Sequence, residues 1–298
     1  MKVIIAGALP ESLINFRGEL IRTLVSLGHQ VIVISGKAEQ HTIDRINSLG
    51  ATHQGISIER NGLNVIADIK TLLSFYHQFK KHKPDVVLAY TIKPVIWGGI
   101  AALVARNIRF FGLITGLGFA LQKGGFKRNI LQKMVVHLYR IALSNAAGVF
   151  FQNPDNLKVF VENKITSADN AHRVHGSGVD LAQFSRSNLI DKPVTFLTIA
   201  RLLGEKGLRE YAQAAAIVKA SHPHANFQLL GPEDSSPDGI PVSVVKQWQK
   251  EGYIDYLGST KDVRSYLRDC HIFVLASYHE GMPRTVLEAM AIGRPILT

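Results

Sequence analysis

The sequence predicts an α/β protein made of two doubly wound domains. Short runs rich in Val, Ile, Leu and Phe alternate with amphipathic segments along the 298 residues. Such runs are typical of buried parallel strands, because helices cover both faces of the sheet and leave no alternation of polar and apolar side chains. The length and the 46% content of hydrophobic residues suffice for two cores.

The first series of elements predicts the N-terminal domain. Its strands are KVIIAGAL, HQVIVISG, PDVVLAY, IRFFGLITGLG and AAGVFFQN, and a helical pattern follows each of them, beginning with NFRGELIRTLVSLG. Polar and Gly-rich residues 175–193 then interrupt this rhythm, as a connection between domains does. We therefore place the boundary near Gly178, with domains at 1–178 and 179–298.

A second series predicts another doubly wound sheet. Its strands are VTFLTIARL, NFQLLG, YIDYLGS and HIFVLASY, with helical patterns between them. The final residues, GRPILT, have the character of a further strand, and a doubly wound domain would continue with a helix that covers it. The sequence thus predicts a second domain that is incomplete at its C-terminal end.

The formal net charge of +11 indicates a polyanionic partner: nucleic acid, anionic lipid or a phosphorylated substrate. Nucleic acid is disfavoured, because the sequence has no zinc-finger spacing, no aromatic RNP-like strand and no dense basic arm. No apolar run reaches about 18 residues and the N-terminus lacks the pattern of a signal peptide, which predicts a cytoplasmic protein. The single cysteine, Cys270, excludes a disulfide framework, and the histidine pairs lack a third ligand, so we expect no metal site.

Three loops at predicted strand ends carry candidate ligand-binding residues, because open α/β sheets bind ligands beyond the carboxyl ends of their strands. The first runs from Gly7 to Leu20, but it lacks the GxGxxG fingerprint, and a capped turn is an equal alternative. The second, ARLLGEKGL, carries Arg201 and Lys206. Two cations on one strand-to-helix loop can clamp a diphosphate, although two solvated surface charges are the alternative.

The third loop, YHEGMPRTVLEAMAIGRP, places Glu280 after a strand and Glu288 inside a helix that begins near Pro283, a favoured first helical residue. A loop carboxylate can accept hydrogen bonds from sugar hydroxyls, and a carboxylate in the helix can bind the two hydroxyls of a ribose. Backbone N–H groups from Gly281 to Thr285, except at Pro283, which has none, suit a phosphate at the helix N-terminus. Ordinary glutamates at the start of an exposed helix are the alternative.

Together the three loops resemble the donor site of retaining glycosyltransferases of family 4, which have the GT-B fold. Residues 280–288 match the Glu-x7-Glu motif of these enzymes. The agreement extends to GSGVD at 176–180, to ARLLGEKGL, and to TIKP and ITGLGFA in the first domain. This resemblance covers essentially the whole chain. It implies two Rossmann-like domains that face a cleft, the first binding the acceptor and the second the nucleotide-sugar.

The resemblance also implies a reaction and residue roles. A sugar would be transferred from a nucleotide-diphosphate sugar with retained anomeric configuration and without a metal or another cofactor. Arg201 and Lys206 would hold the diphosphate and stabilise charge on the leaving phosphate. Glu280 would contact the donor sugar, and Glu288 would bind the ribose. The other residues assigned to the donor are Gly281, Met282, Arg284, Thr285 and Gly7.

The acceptor side is assigned to Lys93 of TIKP and to Thr115 of ITGLGFA. Many enzymes of the family have a histidine where this chain has Thr115. A hydroxyl cannot replace the acid–base capacity of an imidazole, so the resemblance does not supply that role here.

A basic segment at 122–146 supplies a second clue to the acceptor. Lys127, Arg128 and Lys133 accompany an apolar stripe in it, a combination that can dock on anionic lipid. A core-facing helix with a solvated basic side is the alternative. Docking on lipid predicts a lipid-linked acceptor.

Enzymes of this family with TIKP and TGLGF look like bacterial polysaccharide or lipopolysaccharide transferases. The resemblance therefore implies extension of glycans linked to undecaprenyl diphosphate, with a UDP-linked hexose or N-acetylhexosamine as donor. The place of action would be the inner face of the plasma membrane. Two alternatives are a nucleotide-sugar epimerase of the same fold and a sugar-nucleotide-binding protein without catalytic competence.

Overall fold

A computed structural model of the protein describes residues 1–59, 64–116, 126–191 and 193–298, of which residues 126–128 are described by their backbone alone. The chain divides into two compact units, Met1–Ser177 and Gly178–Thr298. Each unit is an α/β domain around a parallel sheet, as the sequence predicts.

The first unit contains a seven-stranded parallel sheet in the order β3-β2-β1-β4-β5-β6-β7. Its strands are β1 (Lys2–Ala6), β2 (Gln30–Ser35), β3 (Thr52–Gly55), β4 (Val86–Tyr90), β5 (Arg109–Ile114), β6 (Gly148–Phe151) and β7 (Ala171–Arg173). Its helices are α1 (Pro10–Ser26), α2 (Gln40–Ser48), α3 (Val65–His82), α4 (Ile92–Ala105), α5 (Phe126–Leu143) and α6 (Pro154–Glu162). The two edge strands, β3 and β7, are absent from the sequence-based prediction.

The pleat of β1 divides the first unit into two layers, because successive side chains of a strand point to opposite faces. Ile4 and Ala6 pack in the core formed with α3, α4 and α5. Val3 and Ile5 pack on the other face, under α1 and α2. All four side chains are at most 4% exposed, so this strand lies at the centre of a sheet covered on both sides.

The second unit contains a five-stranded parallel sheet in the order β10-β9-β8-β11-β12. Its strands are β8 (Thr195–Ile199), β9 (Asn226–Leu230), β10 (Asp255–Tyr256), β11 (Ile272–Val274) and β12 (Ile296–Leu297), and its helices are α7 (Leu208–Ser221), α8 (Val242–Lys250), α9 (Arg264–Asp269) and α10 (Arg284–Ile292). The strand predicted in GRPILT is confirmed as β12, which pairs with β11.

The polar segment after Gly178 packs with the second unit. Phe184 lies in the core with β8 and β11. The buried guanidinium of Arg294 donates to the backbone oxygens of Ser187 and Asn188, at 3.1 Å each. A buried charge needs such hydrogen bonds, because leaving it without acceptors would cost several kcal/mol. Arg294 thus attaches this connection to the sheet.

The helices among the described residues include none that is both long enough and apolar enough to cross a bilayer.

Candidate active site

The candidate site of the second unit lies at the switch point of its sheet. Strands β8 and β11 are neighbours in the sheet, while the chain proceeds from β8 towards β9 and from β11 towards β12. Open α/β sheets bind ligands beyond the carboxyl ends of two such strands. The loops at this point are residues 200–207, which carry Arg201 and Lys206, and residues 275–283, which carry Glu280.

Backbone contacts hold these two loops against each other. Gly207 has a φ of 65°, and a Cβ built on it would lie 2.0 Å from the carbonyl oxygen of Ala276. The backbone N–H of Tyr278 donates to the carbonyl of Glu205 at 3.0 Å. The Tyr278 hydroxyl also donates to Glu210 Oε1 at 2.6 Å, which lowers the pKa of that carboxyl. The spacing of Lys206 and Glu280 is therefore fixed by backbone packing.

Lys206 and Glu280 contact each other across the two loops. The Nζ atom of Lys206 donates to Glu280 Oε1 at 2.8 Å. Their side chains are 15% and 25% exposed, so the pair is shielded from water more than a surface salt bridge is. The structure thus brings together two residues that the sequence predicts for one site, although they are 74 positions apart.

Arg201 is paired with an acid that the sequence analysis did not single out. Its Nη1 atom donates to Asp234 Oδ2 at 2.5 Å, and the Arg201 side chain is 45% exposed. Hydrogen bonds from Ser236 and then from Arg201 hold the pKa of Asp234 below its usual value. The cation predicted to bind diphosphate therefore lies beside a carboxylate and remains open to solvent.

The loop after β9 supports the loop that carries the two cations. The side-chain Oδ2 of Asp238 accepts a hydrogen bond from the backbone N–H of Glu205 at 2.7 Å. The backbone carbonyl of Asp238 accepts a second one from the N–H of Gly204 at 2.9 Å. A Cβ on Gly204 would lie 2.6 Å from the Asp238 carboxylate, which explains the glycine. Asp238 thereby fixes the short 3-10 turn, Gly204–Lys206, that presents Lys206.

Helix α10 contributes Glu288. The helix begins at Arg284, with Pro283 as its N-cap, one residue later than the sequence predicts. The Glu288 side chain is only 8% exposed and its Oε1 atom lies 2.7 Å from Arg284 Nε, one turn earlier. Burial raises the pKa of Glu288, and Arg284 opposes this effect without cancelling it. Gly281, Met282 and Thr285, assigned to the donor, are half-buried around the start of the helix.

Replacing Glu288 by Gln is expected to stabilise the second unit at neutral pH. A carboxyl whose folded pKa is raised destabilises the fold once it is ionised, so the advantage of Gln should be present at pH 7 to 8 and should shrink as the pH falls through the raised pKa. Urea unfolding of wild type and of Glu288→Gln, from pH 8 downwards until the carboxyl is protonated, tests the sign of this difference in stability. A variant that is less stable than wild type at every pH would contradict it.

In the first unit, the predicted donor residue Gly7 packs against Tyr90. A Cβ on Gly7 would lie 2.4 Å from the Cζ atom and from the hydroxyl oxygen of Tyr90, at the adjacent ends of β1 and β4. The Tyr90 hydroxyl lies 2.7 Å from Ser12 Oγ, and the guanidinium of buried Arg17 lies 4.8 Å from the ring centroid. Burial raises the pKa of Tyr90 to about 12. This packing accounts for the glycine, and its contact with a donor remains a prediction.

Lys93 joins two helices at the same edge of the first sheet. Its Nζ atom lies 2.8 Å from Asp68 Oδ1, and the two side chains are 12% and 14% exposed.

Thr91, just before α4, has φ 66° and ψ 161°. This conformation costs a non-glycine residue on the order of 1–3 kcal/mol, and such strain is concentrated at functional sites. Thr91 is a candidate that the sequence analysis quoted only as part of TIKP.

The remaining acceptor residues lie on or near β5 and α5. Thr115 follows β5 directly and is half-buried. Lys133 is exposed on α5. Residues 117–119 of TGLGF and the side chains of Lys127 and Arg128 lie outside the described residues. In the described part of the chain, no three His, Cys, Asp or Glu side chains are close enough to share a metal ion.

Two family models match the chain. Residues 14–153 match the model described as "Glycosyl transferase 4-like", and residues 193–298 match that described as "Glycosyl transferases group 1".

One relative is the N,N'-diacetylbacillosaminyl-diphospho-undecaprenol alpha-1,3-N-acetylgalactosaminyltransferase of Campylobacter jejuni. It is 30% identical, over 98% of this chain and 78% of its own length. A second is the UDP-Gal:alpha-D-GlcNAc-diphosphoundecaprenol alpha-1,3-galactosyltransferase of Escherichia coli, 24% identical over 79% of this chain and 62% of its own length. The chain thus spans between about three fifths and four fifths of these relatives.

Solved structures show the same fold. Sucrose-phosphate synthase from Thermosynechococcus elongatus has a TM-score of 0.76 at 15% identity, over 99% of this chain and 80% of its own. Anabaena HepE, in complex with UDP and glucose, has a TM-score of 0.73 at 15% identity over the same shares. The fold is therefore GT-B, as predicted, and the relatives do not favour an epimerase. By its two domain matches and its relative in C. jejuni, the chain belongs to the glycosyltransferases of the group 1 and 4-like type.

Proposed function

We propose that the chain transfers a hexosyl or N-acetylhexosaminyl group from a UDP-sugar to a lipid-linked glycan, with retention of the anomeric configuration, in the synthesis of a cell-surface polysaccharide. The observation that carries the proposal is the contact of Lys206 with Glu280 at the switch point of the second sheet, with Arg201 on the same loop as Lys206. Two cations and an acid in that place suit a sugar diphosphate, whose charges and hydroxyls need both kinds of partner.

The proposed chemistry is the exchange of one bond at the anomeric carbon. The bond from this carbon to the diphosphate breaks, and the leaving phosphate oxygen takes the electron pair. Arg201 and Lys206 stabilise the charge that develops there, as preorganised cations do. The acceptor oxygen forms the new bond and releases its proton to the leaving group or to solvent. Glu280 lies against Lys206 and stabilises positive charge on the donor sugar.

The activities for which the relatives are named support the choice of substrates. The C. jejuni and E. coli enzymes are named for acceptors built on diphospho-undecaprenol, and the E. coli enzyme for UDP-Gal. HepE was solved with UDP. We propose the same classes here: a UDP-sugar as donor and a polyprenyl diphosphate glycan as acceptor, with Glu288 on the ribose and N–H groups of the α10 start on phosphate.

The acceptor side is proposed to lie in the first unit, at a membrane surface. Residues 1–178 would bind the acceptor through Lys93 and Thr115, and residues 179–298 would bind the donor. Ile130 and Met134 of α5 are 54% and 48% exposed, next to Lys133, whereas Val135 is buried in the core. Helix α5 therefore has both a core face and an exposed basic, apolar face, which is suited to peripheral attachment on the inner leaflet.

The proposal is tested by incubating the chain with a polyprenyl diphosphate sugar and UDP-, GDP- and ADP-linked sugars. We expect a lipid product and released UDP with one UDP-sugar, and an unchanged anomeric configuration in the NMR spectrum of the product. The same nucleotide should raise the melting temperature, because a ligand that binds the folded state stabilises it by mass action. Absence of product and of any thermal shift across the panel would contradict the proposal.

A further inference from the structure

Helix α3 presents apolar side chains on both of its faces. Its inner face packs on the core through Phe75 and Phe79. Its outer face exposes four large apolar residues: Val65 at 71%, Ile66 at 69%, Ile69 at 50% and Leu73 at 59%. Their spacing places them along one stripe in the first half of the helix. A surface helix normally confines such residues to its inner face, and an exposed cluster marks an interaction site.

A second group of exposed apolar side chains lies in the first half of α5. Helix α4 packs against both α3 and α5. Because helices of an α/β sheet run antiparallel to the strands, the first halves of α3 and α5 both lie near the carboxyl edge of the sheet. The exposed Ile130 and Met134 belong to the first half of α5. Lys93, proposed for the acceptor, lies at this edge as well.

The charge of this layer identifies the class of partner. Helices α3, α4 and α5 carry a single acid, Asp68, and their first halves carry the cations Lys70, Lys93, Lys127, Arg128 and Lys133. That acid is paired with Lys93. Helices α1 and α2, on the opposite face of the sheet, carry three acids and three Lys or Arg residues. Exposed apolar side chains and an excess of cations therefore coincide on the described parts of α3, α4 and α5, but not on α1 and α2. An anionic bilayer surface satisfies both features.

We propose that the first half of α3 is a membrane-docking element that inserts Ile66, Ile69 and Leu73 into the interface of an anionic bilayer. Ile130 and Met134 of α5 enter the same interface. This inference deepens the proposed function and rests on it for the identity of the acceptor. Docking by this end brings the carboxyl edge of the first sheet to the headgroups, where the diphosphate of a lipid-linked acceptor lies.

The test compares two triple variants with matched exposure. One is Ile66→Gln/Ile69→Gln/Leu73→Gln in α3. The control is Leu27→Gln/Leu189→Gln/Ile217→Gln, whose side chains are 66, 55 and 74% exposed elsewhere on the chain. Binding is measured by cosedimentation with phosphatidylcholine vesicles, with and without phosphatidylglycerol. We expect the α3 variant to lose about tenfold or more of its affinity for the anionic vesicles and the control variant to bind as wild type does.

Further measurements decide between the possible occupants of the surface. Wild-type binding should require phosphatidylglycerol and weaken in high salt. Equal binding by wild type and the α3 variant, or equal losses in both variants, would overturn the proposal. So would light scattering that shows a wild-type dimer and a monomeric α3 variant, because the stripe would then be covered by a second copy.

Failure of this inference can be told apart from failure of the proposed function. The α3 variant should keep the thermal shift with UDP-sugar and transfer to a water-soluble short-chain acceptor, because α3 contributes no donor residue. If wild type transfers no sugar and the α3 variant still loses vesicle binding, the docking surface stands and the proposed function fails. If wild type transfers sugar and the α3 variant binds vesicles as wild type does, the proposed function stands and the docking surface fails.

Discussion

Replacing Lys206 by Ala is expected to lower kcat for sugar transfer by about 10²- to 10³-fold, the usual effect of removing one group that stabilises developing charge. The substitution removes the cation proposed for the leaving phosphate and leaves Glu280 without the amine that lies 2.8 Å from it. Steady-state kinetics with saturating UDP-sugar measure the effect.

Lys219→Ala is the control for Lys206→Ala. Lys219 belongs to the same unit, and its Nζ donates to the carbonyl of Gly252 at 2.8 Å, away from the switch point. Its loss should leave kcat unchanged. A Lys206→Ala enzyme with wild-type kcat would remove Lys206 from the proposed mechanism. Combining Lys206→Ala with Glu280→Gln then measures their coupling, which contact residues should show as non-additivity.

Replacing Gly207 by Ala is expected to destabilise the second unit by about 3 kcal/mol. The φ of 65° is unfavourable for alanine, and the new Cβ would lie 2.0 Å from the carbonyl oxygen of Ala276, so the two loops must separate. Urea unfolding followed by the fluorescence of Trp248 reports this unit when Trp97, the other tryptophan, is replaced by Phe.

Gly252→Ala is the control that measures the cost of a positive φ without a steric clash. Gly252 has a φ of 77°, but a Cβ placed there meets no atom within 4 Å. Its substitution should therefore cost only about 1 kcal/mol, the conformational part of the effect. Equal losses of stability in the two variants would show that the contact between the loops contributes nothing measurable.

The fold could be predicted from sequence because its central strands are buried on both faces. KVIIA and QVIVIS are apolar except at their terminal residues Lys2, Gln30 and Ser35, and strands buried in a parallel sheet typically show such nearly continuous apolar runs. The edge strands THQG and AHR carry no such signal, since each has a neighbour on one side only. Their pairing depends on the finished sheet, which local sequence does not contain.

The sequence predicts candidate residues for the site, but it predicts few of the contacts that they make. Arg284 and Glu288 are four positions apart on one helix, so their ion pair could have been anticipated. Asp234 meets Arg201 only because β9 lies beside β8, and strand order is not a local property of the sequence. Helix α3 shows the same limit, because Phe75 and Ile69 are both apolar and only packing decides which of them faces outward.

The cations proposed to grip the diphosphate each lie within hydrogen-bonding distance of a carboxylate from the same chain: Asp234 beside Arg201 and Glu280 beside Lys206. An entering anion must compete with these tethered acids. Inorganic phosphate offers each cation little that its own partner does not already provide. In the proposed function a sugar diphosphate would span both cations and would give the displaced acids hydroxyl groups in return, so the ion pairs would favour whole donors over the abundant small anions of a cell.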